Sequence, residues 1–206
     1  MSHTAAARTR SPRTPWPTAF GLIVVTAAII ATAVYRSASS SAHTFTEVAP
    51  GDHAGTTTQA DGVLPDGATV FDEYPGVANL DPDLLQALRK AATDAADDGV
   101  EFFVNSGWRS PAYQIRLLDD AVAKYGSAEE AARWVATPDT SAHVLGHAVD
   151  IGRSDARAWL SEHGARYGLC QIYANEPWHY ELRPDAVVHG CRPMYPDPTH
   201  DPRMRR

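Results

Sequence analysis

Four side chains in two short stretches carry the groups of a hydrolytic metal centre. The first stretch is Ser141-Ala142-His143-Val144-Leu145-Gly146-His147-Ala148-Val149-Asp150, and the second is Glu176-Pro177-Trp178-His179. A catalytic zinc site takes three protein ligands, often histidine with a carboxylate, keeps one position for water, and needs a nearby base for that water's proton. His143, Asp150 and His179 can be the ligands and Glu176 the base. His143 and His147 stand four apart, the spacing of a helical metal pair. Gly146 and the strand-like run after it argue against a helix there, and no HExxH glutamate accompanies the pair, so Asp150 is preferred to His147 as the third ligand. His53, His163, His189 and His200 fall in no comparable pattern.

These groups must be brought together by the elements around them. Ala148-Val149-Asp150-Ile151 alternates like a strand, which puts Gly146, Ala148 and Asp150 on one face and His147, Val149 and Ile151 on the other. A turn at Gly146 then lets a loop imidazole meet a strand carboxylate. Glu176 and His179 are three apart and would face opposite ways on a straight strand, but Pro177 breaks the strand and permits a turn that converges them. Trp178 beside His179 offers an apolar wall. Leu169 to Tyr173 and Trp178 to Leu182 read as two strands, and Val100 to Val104 as another.

Helices are predicted from their caps and apolar stripes. Asp81-Pro82-Asp83 opens one that Gly99 closes, with Leu84, Leu85, Leu88, Ala91, Ala92 and Ala95 as its buried face. Pro111 starts a second, with Ile115, Leu117, Leu118 and Val122 as core candidates and Gly126 as its stop. Ser127-Ala128-Glu129-Glu130 is a capping box for a short third helix through Trp134. Ser154-Asp155 caps a fourth containing Trp159 and Leu160, ended by Gly164 or Gly168. This order predicts an α+β fold, a small mostly antiparallel sheet flanked by helices.

The residues resemble the zinc D,D-peptidases of the VanY type, carboxypeptidases and dipeptidases associated with peptidoglycan and vancomycin resistance. Ser141, His143, Gly146, Ala148 and Asp150 match that family's Ser-x-His-x-x-Gly-x-Ala-x-Asp pattern, and Glu176 and His179 its Glu-x-x-His. Ser106-Gly107-Trp108-Arg109-Ser110 with Gln114 is similar to a further family element. The resemblance covers roughly residues 70–185 and implies that the fold surrounds a single zinc site, with one Zn2+ held by His143, Asp150 and His179, Glu176 as base, and a peptidoglycan stem peptide as substrate. Arg109 is the candidate to stabilise a developing oxyanion; the bland alternative is a surface salt bridge. Ser141 and Gln114 are candidates for holding substrate, and either could instead be a turn or helix cap. The zinc set does not encode the substrate pockets, so an endopeptidase or an L,D-peptidase of the same superfamily, or a non-catalytic membrane-tethered wall-binding module, stays open beside a D,D-carboxypeptidase.

Charge and hydropathy place the domain along the chain. Residues 1–36 hold four of the 18 basic residues and none of the 25 acids, so the remainder carries a net charge of −11. So acidic a body argues against a nucleic-acid partner, whose binding rests on neutralising phosphates. Residues 1–19 read as a cytoplasmic segment and 20–36 as a transmembrane anchor, long enough to cross a bilayer core with Arg8, Arg10 and Arg13 inside. A cleaved signal sequence has the same order, with Ser40-Ser41-Ala42 as its small-residue site. Residues 37–61 read as a flexible linker, 62–192 as the peptidase domain, expected to be monomeric and extracytoplasmic, and 193–206 as an irregular Pro-rich tail. Cys170 and Cys191, the only cysteines, are expected to pair in an oxidising compartment; the alternative is Cys170 as a metal ligand or nucleophile.

Overall fold

The computed structural model describes residues 56–205. The apolar run at 20–36 and most of the 37–61 spacer, His53 included, lie outside the described residues. No helix among the described residues is long and apolar enough to cross a membrane.

After a short helix α1 (Pro75–Ala78), helix α2 runs from Pro82 to Asp97. Asp81 caps α2, its carboxylate accepting from the backbone N–H groups of Asp83 and Leu84. Strand β1 (Val104–Ser106) leads to helix α3 (Pro111–Tyr125) and the single-turn helix α4 (Ala128–Ala131). Then come β2 (Ala148–Ile151), helix α5 (Ser154–His163), β3 (Leu169–Gln171), β4 (His179–Leu182) and a short α6 (Ala186–His189). The strands form one four-stranded sheet in the order β1-β2-β4-β3, every neighbouring pair antiparallel.

The two faces of the sheet have different tasks. Val104, Val149, Ile151, Leu169 and Tyr180 point into the main core, against Leu84, Leu88, Ala91 and Ala95 of α2 and Trp159 and Leu160 of α5. Strand alternation sends Ala148, Asp150, His179 and Glu181 to the opposite face. Register makes that face continuous: Asp150 lies opposite His179, and Ala148 and Cys170 flank Glu181.

Several elements depart from the sequence expectation. The first strand begins four residues later than Val100, because Val104 rather than Val100 pairs with Ile151; Phe103 makes only an isolated bridge to Thr69. On α3 the buried side chains are Gln114 and Ala121, while Ile115 is 49% exposed and Leu117 lines a cavity. This helix covers the site, so its inner face is partly polar and its apolar stripe lies to the side. Helix α4 stops at Ala131, short of Trp134, whose ring stacks on Tyr125. Ser154 is the first residue of α5 and not its cap; Arg153 precedes it at φ 56°, with its guanidinium over the Phe103 ring.

The ends of the folded region also differ. Asp61, assigned to the spacer by composition, closes a 3-10 turn (Gln59–Asp61) and accepts the Ser110 hydroxyl at 2.9 Å, so the packed structure includes it. Residues 193–205, expected to be irregular, contain two 3-10 turns, and their Asp197 and Asp201 are buried.

Candidate metal centre

Each side chain of the centre is fixed by its local backbone. Gly146, at φ +73°, makes the turn between His143 and β2: its N–H donates to the His143 carbonyl, and its own carbonyl accepts from Asp81 N–H at the start of α2. Asp150 projects from β2 onto the open sheet face. Pro177 and Trp178 form the expected turn, closed by His179 N–H on the Glu176 carbonyl at 3.1 Å, so β4 begins at His179 with Glu176 beside it. Glu176 and His179 thereby converge, with Oε2 3.7 Å from Nδ1. His147 is exposed and points elsewhere.

His143, Asp150 and His179 form a buried cluster whose three donor atoms lie within 4.8 Å of one another. His143 Nδ1 is 2.8 Å from the Gly107 carbonyl, which can only accept, so the proton sits on Nδ1 and Nε2 is bare. His179 Nε2 faces the Glu181 carboxylate at 3.4 Å, which leaves its Nδ1 bare by the same reasoning. The two bare nitrogens are 3.2 Å apart, and Asp150 Oδ1, without a hydrogen-bond partner, is 3.4 Å from each. With both imidazoles in these neutral tautomers, three lone pairs converge with no donor between them. Buried polar atoms without partners are costly, and one small divalent cation satisfies all three. Two histidines, a carboxylate and second-layer hydrogen bonds that set the tautomers suit zinc.

The charges around the centre are strongly shifted. Burial and the neighbouring Arg109 push the His143 imidazole down, keeping it neutral. Burial alone would raise the Asp150 carboxyl, but His143, His179 and Arg109 overcome it and hold the group well below the carboxylate range. Burial works against protonation of His179, yet the Asp150 and Glu181 carboxylates bring it up to about 9, so its Nδ1 can carry a proton that a bound cation displaces. Glu176 is raised to about 7, chiefly by burial, with its Oε1 left without a partner. Cation binding to such a set requires a bare imidazole and an ionised carboxylate, so it displaces protons.

Arg109 lies against Asp150, NH2 to Oδ2 at 2.8 Å, and lines a cavity of about 490 Å3 together with the three cluster residues, Glu176, Ser141 and Trp178. The pair is largely enclosed, its side chains 14% and 9% exposed, with Arg109 Nε on Ser106 Oγ and NH1 on Gln114 Oε1. Gln114 spends its other end on the Ala136 carbonyl, so both of its polar ends are engaged inside the protein. Ser141 Oγ accepts Val144 N–H at 3.4 Å as a turn cap, and the residue is 2% exposed on the cavity wall. The aromatic ring packed on His179 is Tyr173, with centroids 5.1 Å apart, while Trp178 forms the cavity wall. The Cys170–Cys191 disulfide is present.

Sequence reasoning missed Glu181, Tyr173 and Arg203. Glu181 was within reach, because two residues after His179 on a strand is the same face. Arg203 had no signal: it forks onto Glu181 from a tail without periodicity, NH1 to Oε2 at 2.7 Å and NH2 to Oε1 at 3.1 Å.

His143 from the turn before β2, Asp150 and His179 from the sheet, and the adjacent buried Glu176 form a candidate site for one divalent cation. Comparison with known proteins gives it a family. The VanY family of D-alanyl-D-alanine carboxypeptidases matches residues 77–185, just over half of the 206 residues, and the chain belongs to it. A D-alanyl-D-alanine carboxypeptidase of Enterococcus faecalis is 38% identical over 111 residues; the match covers 42% of this chain and 41% of that relative. Among solved structures, VanYB in complex with D-alanine-D-alanine is 30% identical with a TM-score of 0.49, covering 54% of this chain and 74% of that one. The LdcB LD-carboxypeptidase is 25% identical with a TM-score of 0.51, covering 64% and 72%. The chain thus spans about two fifths of the length of its curated relative.

Proposed function

We propose that this chain is a zinc-dependent D,D-carboxypeptidase that removes the terminal D-Ala from peptidoglycan stem peptides. The observation that carries the reading is the convergence of three potential ligand atoms from His143, Asp150 and His179 on a cavity wall, with the unpartnered Glu176 oxygen beside them. A zinc ion held by these three residues supplies an acidified water and Lewis-acid polarisation of the scissile carbonyl. Glu176 takes the proton of the attacking water and returns it to the leaving amine of the terminal D-Ala. Arg109 presents positive charge where the carbonyl oxygen becomes negative, and holds Asp150 by its far oxygen so that Oδ1 faces the centre. Gln114 braces Arg109, and Ser141 contributes a hydroxyl to the wall. The body is acidic, so the substrate's C-terminal carboxylate needs a local cation, and Arg109 and Lys124 line the cavity.

Location outside the cytoplasmic membrane, through the anchor or signal at 20–36, belongs to the same reading and is supported by the disulfide. A second reading, L,D-carboxypeptidase, is favoured by the similarity to LdcB. Both are tested by incubating the zinc-loaded full chain with muropeptides and weighing the products. Loss of one D-Ala from a stem ending in D-Ala-D-Ala is expected. Trimming only of stems that already lack that residue marks the L,D enzyme, the free dipeptide a dipeptidase, and cut cross-links an endopeptidase. No product from any of them would leave a wall-binding module.

A further inference from the structure

We propose that Arg203, in the C-terminal tail, is a positioning residue of the metal centre, acting through Glu181 to hold His179 with Nδ1 aimed at the cation. The inference rests on the metal reading of the site and adds to it a segment that lies beyond residues 77–185, the family-matched region.

Glu181 is 2% exposed and occupies the sheet face directly beside the cluster. Its Oε1 serves both His179 Nε2 and Arg203 NH2, and its Oε2 serves Arg203 NH1 and Arg183 NH2, the last at 2.8 Å. A planar guanidinium that grips both carboxylate oxygens fixes the plane of the group as well as its charge. Arg183 touches one oxygen only, so it can neutralise Glu181 but not set its orientation. With the carboxylate plane fixed, Oε1 stays on the Nε2 side of the His179 ring, and the opposite nitrogen is kept turned toward the cation site.

The tail reaches His179 by a second route. Asp201, fully buried, holds Arg203 Nε at 2.9 Å and accepts the Tyr173 hydroxyl at 3.1 Å, and the Tyr173 ring lies on the His179 ring. One arm is polar and ends on Nε2; the other is apolar and ends on the ring face. Two connections fix the approach of the tail. Cys191 is bonded to Cys170, the residue opposite Glu181 across β3 and β4, and Tyr195 lies beside Tyr173, with its N–H on the Ile172 carbonyl at 2.9 Å.

A plain structural brace would cost stability when cut and leave metal binding alone. The two roles separate in a chelator competition for zinc, run on the full chain and paired with melting of the metal-free form. Outer partners of ligating histidines typically contribute about 10- to 100-fold in affinity. Arg203→Ala is expected to weaken zinc binding within that range and to shift the visible bands of the cobalt-substituted chain. Arg203→Lys keeps the charge and gives up the fork; it is expected to lose about tenfold, at the lower end of that range, and serves alone if the alanine variant does not fold. Glu181→Gln should weaken binding similarly, and the double variant should lose less than the two single losses combined, because both share the contact with His179 Nε2. Native zinc affinity and cobalt bands in the folded Arg203 variants, whatever their melting temperature, would overturn the proposal. A wild-type chain that takes up no zinc would overturn the metal reading with it.

Discussion

At the scale of single residues, Glu176 and Arg109 separate by what they touch. Glu176 contacts the cluster only at the edge, so Glu176→Ala should keep the zinc content and lose about 10²- to 10⁴-fold in release of D-Ala; undiminished turnover would remove it as the base. Arg109 engages Asp150, Ser106 and Gln114 at once with three different nitrogens. Lysine offers one point charge in place of that fork. Arg109→Lys should therefore bind zinc but fall about 10²- to 10³-fold in turnover, the size expected for a misplaced oxyanion partner; the paired readout is metal content against rate. These groups were legible in the sequence because each sits within a few residues of a glycine or proline that forces its turn. Gln114 was legible as a site residue but not in its contacts, since spacing alone does not say whether an amide faces substrate or Arg109.

At the scale of elements, the phase of β2 and β4 decides which side chains meet. The alternation in Ala148-Val149-Asp150-Ile151 was readable and holds: Val149 and Ile151 enter the core, and Asp150 the site. The turn before β2 is equally exacting. Gly146 has a positive φ, and a Cβ there would lie 2.6 Å from the Asn79 carbonyl oxygen. Gly146→Ala should cost at least about 1–3 kcal/mol from the left-handed backbone alone, seen as a lower denaturation midpoint. Because Gly146 also anchors α2 through Asp81 N–H, zinc affinity should fall in the same variant. The face of α3 was not readable, since an apolar stripe predicts burial in a common core, whereas this helix roofs a cavity and buries Gln114 instead of Ile115. The starts of β1 and α5 missed for a related reason: pairing with Ile151 and the Arg153 conformation are tertiary choices that local propensity does not record.

At the scale of the whole molecule, the tail is joined to the body by one covalent bond and by buried carboxylates. Reducing the Cys170–Cys191 bond opens a loop with a sequence separation of 21 and should lower stability by about 3 kcal/mol, measured by denaturation with and without reductant. Acid should act on the same segment. Burial favours protonation of Asp201, but its bonds to Arg203 outweigh this and hold the carboxyl low; Asp197 is held low against burial by Thr199 and His200. A folded state that binds fewer protons than the unfolded chain gains stability above the unfolded value, near ~3.9. That gain disappears as pH falls through the lower folded values. Melting temperature should therefore drop steeply below about pH 4, and Asp201→Asn should flatten that limb; an unchanged slope would exclude Asp201 as its source. None of this could be read from residues 193–206, where prolines and charges without a period predict only the absence of regular structure.

Arg203 lies 24 positions beyond His179 and 53 beyond Asp150 in the chain. The three candidate metal donors therefore all precede, in the chain, the guanidinium proposed to steady one of them. On the proposed role of Arg203, a chain cut between His179 and Arg203 keeps all three donors and is expected to bind zinc about 10- to 100-fold more weakly.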